Sequence, residues 1–146
     1  MAQNIRKVKQ DDLDDILRLL YQLSPKKPDE NVSIDRLNSV MLELIKSYNH
    51  YMVTYEDGNK VVGTATLVVL HNLSHGARPY GHIENVVVDE KYRGKGIGKA
   101  LVDYLVMEAK NRGCYKVLLN CSAKNVPFYE KCNFKKTGEV EVRVDL

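Results

Sequence analysis

The sequence predicts an α/β protein built on a mixed sheet. Three observations carry this. Two strand-like runs, Tyr51–Tyr55 and Val61–Leu70, flank Glu56-Asp57-Gly58-Asn59, a hairpin signal that makes them antiparallel neighbours. A strand candidate at Gly81–Asp89, a long amphipathic helix at Ile97–Arg112 and a strand candidate at Lys116–Asn120 follow in succession. Two strands joined through a helix pair in parallel, by a right-handed crossover. Helical and extended periods also alternate along the chain, which separates it from all-α and all-β classes.

Element by element, the chain opens on a short strand, Ile5–Val8. Asp11 and Asp12 put negative charge at the positive end of a helix whose apolar face is Leu13, Ile16, Leu17 and Leu20. Ser24-Pro25-Lys26-Lys27-Pro28 ends it as a loop. A second helix over Ser33–Tyr48 carries Ile34, Leu37, Met41 and Ile45 on one face. After the hairpin, Asn72–Pro79 is polar and reads as a loop. In the 97–112 helix Ile97, Leu101, Leu105 and Ala109 recur every four residues, and Gly113 suits the left-handed stop. A short helix over Asn125–Lys131 and two C-terminal strand candidates flanking Gly138 complete the pattern.

The 146 residues fit one domain spanning 1–146, 44% hydrophobic and 28% charged, large enough to fold without a disulfide or metal. Twenty-two basic and 19 acidic residues leave a net charge of +3, too mild to argue for nucleic acid. The cysteines Cys114, Cys121 and Cys132 are odd in number and lack CxxC spacing, as expected of reduced thiols in the cytoplasm. The N-terminus has no apolar stretch of a signal peptide, and no apolar run is long enough to span a membrane. His50, His71 and His75 show no ligand spacing, so no metal site is expected.

The chemistry concentrates at Arg93-Gly94-Lys95-Gly96-Ile97-Gly98, between a strand and the strongest helix. Three glycines in five positions expose backbone N–H groups, the helix adds its positive end, and Arg93, Lys95 and Lys99 add charge. The arrangement suits a phosphate or pyrophosphate. It lacks the GxxxxGK[ST] of a Walker loop, and its GxGxG spacing is not the GxGxxG of a dinucleotide fold. A glycine-rich turn that merely caps the helix accounts for the same residues.

Arg93-x-x-Gly96-x-Gly98 after a strand resembles the pyrophosphate signature of the GCN5-related N-acetyltransferases (GNAT). Glu84-Asn85-Val86-Val87-Val88 resembles that family's splayed central strand, and Asn125-Val126-Pro127-Phe128-Tyr129 through Phe134 its late helix. The resemblance covers nearly the whole chain. It implies an α/β GNAT fold with a mixed central sheet of about six or seven strands, a splayed central strand and four helices. It also implies acetyl-CoA as cosubstrate and an amine as acceptor. Within the family, residues 82–134 are most similar to the branch acting on an amino-sugar phosphate. That branch carries acids where this chain has Asn85 and Asn120.

The roles implied follow residue by residue. The backbone of Val86, Val87 and Val88 pairs with the pantetheine arm as an added strand. The N–H groups of Gly94, Lys95, Gly96, Ile97, Gly98 and Lys99, with Arg93, cradle the pyrophosphate. Asn125 bonds the arm or the ligand, and Tyr129 donates a hydrogen bond to, or protonates, the departing thiolate. Glu84 is the candidate base, directly or through water, with His82 on the same face as a weaker one. Arg78 and His75, with Arg143, are placed to hold an anionic acceptor, and Glu84, Asn85 and Asn120 to line its site. Plainer readings stand beside these: Tyr129 as a packing aromatic, Glu84 as a solvated carboxylate. Cys121 is not needed as a nucleophile, since amine attacks thioester directly. The leading function is N-acetylation of a small primary amine. An acyl-CoA sensor without turnover, and an enzyme for another small amine, are the alternatives. No nucleic-acid or membrane partner is expected, and the C-terminal strand is the place for a homodimer contact.

Overall fold

The computed structural model describes residues 1–25 and 31–146. Five strands form one sheet: β1 (Ile5–Lys7), β2 (His50–Asp57), β3 (Lys60–Leu70), β4 (Tyr80–Val88) and β5 (Val117–Leu118), in the spatial order β1-β2-β3-β4-β5. The first four are antiparallel, and β5 lies parallel to β4. The helices are α1 (Leu13–Leu23), α2 (Ile34–Lys46), α3 (Ser74–Ala77), α4 (Ile97–Asn111) and α5 (Val126–Glu130). The four expected helices are α1, α2, α4 and α5. The addition, α3, is a single distorted turn in which His75 and Gly76 have φ of 54° and 72°.

Both faces of the sheet are covered. On one, Leu101, Val102, Leu105 and Ala109 of α4 pack on Val53, Ala65, Leu67 and Ile83. On the other, Leu13, Ile16 and Leu19 of α1 and Met41 of α2 pack on Met52, Val61 and Val87. Successive strand residues point to opposite faces, so a strand covered twice is apolar throughout. β3 follows this, with residues 61–67 all buried and polar only at Thr64, whose Oγ1 donates to Val53 O at 2.8 Å, and Thr66. Deleting a fully buried side chain such as Leu105 removes roughly 2–5 kcal/mol.

Local chemistry sets the helix ends. Ser33 Oγ accepts from Arg36 N at 3.2 Å and starts α2 one residue later. Ile34, read as part of the inner face, is exposed in this first turn. Ser24 N donates to Leu20 O at 2.8 Å as α1 ends. Lys26, Lys27 and Pro28 of the loop expected there lie outside the described residues.

Three strand expectations are corrected. The sheet has five strands among the described residues, not six or seven. The candidates around Gly138 form none: residues 135–146 pair with no strand, and Val140, Val142 and Val144 are 82%, 87% and 78% exposed. Period-2 alternation gives a segment strand character, but a strand needs a partner edge, and the segment has joined none. The Lys116–Asn120 candidate shortens to Val117–Leu118 because β4 turns away from it. The cause is a bulge. Val87 stands opposite Thr64 and Glu84 opposite Thr66, so Asn85 and Val86 together oppose Ala65. Asn85 absorbs the extra residue at φ 52°, a left-handed conformation that asparagine tolerates.

Candidate active site

The bulge creates the site. β4 pairs with β5 only at Gly81 and His82, and the strand continues to Val88 with no strand on that side. A gap therefore opens between the C-terminal ends of two parallel strands, where α/β folds bind ligands. Glu84 and Asn85 are exposed on the β4 side, and Asn120 on the β5 side. His82 Nδ1 lies 3.1 Å from Glu84 Oε1, so the two residues predicted to share a face do touch. Asn120 Nδ2 donates to Glu141 Oε2 at 2.9 Å, which brings one residue of the C-terminal segment to the gap.

The chain leaves β4 through a turn at 89–92 and enters the glycine loop. Gly94 and Gly96 have φ of 77° and 81°, which L side chains rarely adopt, and Gly96 is the N-cap of α4. The first N–H groups of α4 have no intrahelical partner and, with the helix dipole, form a geometry suited to an anion. Gly98 allows a close contact: a Cβ there would lie 3.2 Å from Phe128 Cζ. The cations are not equally available. Lys99 Nζ is 2.5 Å from Asp103 Oδ2, a hydrogen bond that raises its pKa. Arg93 Nε donates to Val88 O at 3.1 Å. Lys95 lies over the Tyr92 ring, 4.8 Å from its centroid.

Tyr129 sits on α5, half-buried, against Phe128 and Phe134 at centroid distances of 4.9 and 6.0 Å. Burial pushes its hydroxyl pKa up, with the Cys121 and Cys132 thiols adding to the shift, so it holds its proton at neutral pH. Packing anchor and hydroxyl donor are thus compatible readings of one residue. Asn125 is the N-cap of α5 and is exposed.

At the other end of β4 a basic, aromatic cluster forms. His75 stacks on Tyr115 at 4.1 Å and an interplanar angle of 11°. The Arg78 guanidinium lies 5.8 Å from the Tyr115 ring, and Lys116 Nζ 5.5 Å from it. Arg78 Nε also donates to His75 O at 3.1 Å. Tyr115 and Lys116 had no role in the sequence reading. They lie in a stretch, Gly113–Lys116, that resembles the family, but their contact with loop 71–79 is set by the sheet and not by local pattern. Arg143 is not drawn into the cluster; it is exposed and pairs with Asp145 at 3.5 Å. Among the described residues no group of three His, Cys, Asp or Glu gathers to hold a metal, and no helix is long and apolar enough to cross a membrane.

A strand splayed from its parallel neighbour, followed by a glycine loop that starts a helix, leaves an open strand edge beside a loop suited to a phosphate. The Acetyltransferase (GNAT) family profile matches residues 12–134, and the chain belongs to that family. It is an N-acetyltransferase with acetyl-CoA as cosubstrate. It is 36% identical over 145 residues to a glucosamine 6-phosphate N-acetyltransferase of Trypanosoma brucei brucei, covering 97% of this chain and 95% of the relative. The crystal structure of glucosamine-6-phosphate N-acetyltransferase from Arabidopsis thaliana superposes with a TM-score of 0.85 at 33% identity, over 96% of each chain. A predicted acetyltransferase of Clostridium acetobutylicum, solved with acetyl-CoA, superposes with a TM-score of 0.76 at 25% identity, over 96% of this chain and 95% of that one.

Proposed function

We propose that the acceptor is the amine of an amino-sugar phosphate, glucosamine 6-phosphate being the first choice. The observation that carries this is the cluster of His75, Arg78, Tyr115 and Lys116, which offers two cations and an aromatic face at the N-terminal end of the strand whose C-terminal half lines the gap. Cations suit a phosphate and an aromatic face suits a sugar. The names of the relatives from Trypanosoma and Arabidopsis support the same acceptor. Arg143 is left out of this anion site.

The thioester supplies an activated acetyl group. Backbone groups of Val86, Val87 and Val88 pair with the pantetheine arm on the free side of β4, and Asn125 bonds the arm. Residues 93–99 receive the pyrophosphate, chiefly through backbone N–H groups, since Lys99 is engaged by Asp103. Glu84, held by His82, accepts the proton of the attacking amine directly or through water. The new C–N bond forms as the C–S bond breaks, and the Tyr129 hydroxyl gives its proton to the sulfur. Asn85 and Asn120 bond sugar hydroxyls as neutral amides.

We also infer a homodimer whose contact is the C-terminal segment. Val140, Val142 and Val144 alternate with polar residues and stay exposed in the isolated chain, as a strand awaiting another chain's edge would. Light scattering should give twice the chain mass, and truncation after Thr137 should give the single mass. A monomeric intact chain would remove this part of the reading.

The acceptor is tested by free-thiol release from acetyl-CoA across an amine panel. Turnover with glucosamine 6-phosphate at least tenfold above glucosamine is expected, because the cluster takes the phosphate. Faster turnover with an uncharged amine would discard the sugar-phosphate reading and keep the enzyme class.

A further inference from the structure

Asp89 stands where β4 ends and the turn toward the glycine loop begins. It is 3% exposed, yet it is a carboxylate within a few residues of a loop built to receive a pyrophosphate. Two adjacent turns of α1 reach it. Arg18 Nη1 donates to Asp89 Oδ2, while Arg18 Nη2 donates to Val61 O at 2.8 Å and to Asp15 Oδ1 at 3.0 Å. Four residues on, Gln22 Oε1 accepts from Glu90 N at 3.0 Å. The turn is also closed on itself, with Asp89 Oδ1 accepting from Lys91 N at 3.1 Å and Asp89 O from Tyr92 N at 2.8 Å. Lys60 Nζ, 3.7 Å away, is the only other cation paired with this carboxylate among the described residues, and it is half-exposed.

Burial pushes the Asp89 carboxyl up, but the Lys91 N–H and the Arg18 guanidinium outweigh it and hold its pKa below the ordinary carboxylate range. The group is therefore charged at neutral pH. An unmatched buried charge acts over several ångströms with little screening. Left bare, it would oppose the approach of a dianion to the next turn of chain.

We propose that Arg18 is a positioning residue for the cosubstrate's pyrophosphate, cancelling the charge of Asp89 and fixing the turn from which the glycine loop springs. The inference rests on the reading that residues 93–99 receive the pyrophosphate. It ties α1, which packs on the far face of the sheet from α4, to the affinity for one part of one substrate.

The test compares two ligands by calorimetry: coenzyme A, which has the pyrophosphate, and pantetheine, which lacks it. The wild-type chain should prefer coenzyme A strongly; equal affinities would sink the loop reading itself, and this inference with it. In Arg18→Gln the preference should shrink about tenfold, a Coulomb-sized effect, with pantetheine affinity nearly unchanged. The double variant Arg18→Gln, Asp89→Asn should recover most of the lost preference, because the charge that needed cancelling is gone. An Arg18 that only pins α1 to the sheet would weaken both ligands in parallel, with no recovery in the double variant, and that result overturns the proposal. Should Arg18→Gln unfold at the assay temperature, Asp89→Asn alone decides: coenzyme A affinity held or raised supports the charge argument, and a tenfold fall overturns it.

Discussion

The two ends of β4 are built by different means. At its C-terminal end the turn and glycine loop are held by backbone geometry and a partly buried ion pair: φ of 77° and 81° at Gly94 and Gly96, the bulge at Asn85, and Arg18 on Asp89. At its N-terminal end the cluster of His75, Arg78, Tyr115 and Lys116 is held by side-chain stacking at the surface. The difference teaches how one fold can keep a cosubstrate while choosing an acceptor. Backbone recognition needs shape and tolerates most side chains; surface side chains can be exchanged without disturbing the sheet.

The comparison is tested first at the atom both substrates share. Tyr129→Phe should keep the aromatic packing and lose the proton donor, lowering kcat by roughly 100-fold or more with little change in the KM for acetyl-CoA. An unchanged kcat would return Tyr129 to a packing role. Next comes the backbone-built end. Gly96→Ala imposes a left-handed conformation on an L residue at about 1–2 kcal/mol, so coenzyme A affinity should fall about tenfold while acceptor KM holds. At the side-chain-built end the split should reverse. Arg78→Ala should raise the acceptor KM about five- to tenfold and leave acetyl-CoA alone, consistent with one charged hydrogen bond lost at an exposed site.

The smallest effect is on stability at low pH. Burial opposes ionisation of Asp12, but the Arg6 fork at 2.7 and 2.8 Å and the Lys9 N–H at 2.7 Å prevail, and its pKa lies below the ordinary value, as does that of Asp89. A depressed native pKa contributes stability above the unfolded pKa that is lost as pH falls through the folded one. The urea midpoint should therefore be flat from pH 7 to about 5 and fall below about pH 4. Asp12→Asn should lower the midpoint at pH 7 and flatten its fall.

The sequence anticipated what local pattern controls. Periodicity located α1, α2 and α4, the short helix at 125–131 was also expected, Ser33 marked the start of α2, and the Asp-Gly turn paired β2 with β3. The glycine loop declared itself because positive φ restricts residue choice. What escaped depended on distance in sequence. The stack of His75 on Tyr115 joins residues 40 apart, and Arg18 meets Asp89 across 71. The strand count failed for a related reason. Alternating valines at 140, 142 and 144 state which face is apolar but not which edge receives them. Asn85 and Asn120 carried a chemical signal, the loss of two acids. The fold supplied a further meaning for Asn85, whose left-handed backbone makes the bulge.

That bulge has a consequence for how the protein melts. Past His82, β4 has a strand on one side only, so the sheet is a row of rungs that stops before the strand does. A ligand lying in the opening completes the row, and its binding free energy is added to that of folding, by about 2.7 kcal/mol at a hundredfold excess over Kd. The melting temperature should climb with coenzyme A concentration, and amide exchange at Val86–Val88 should slow most. Cosubstrate bound there would act as a missing rung, so the folded state would last longer when it is plentiful.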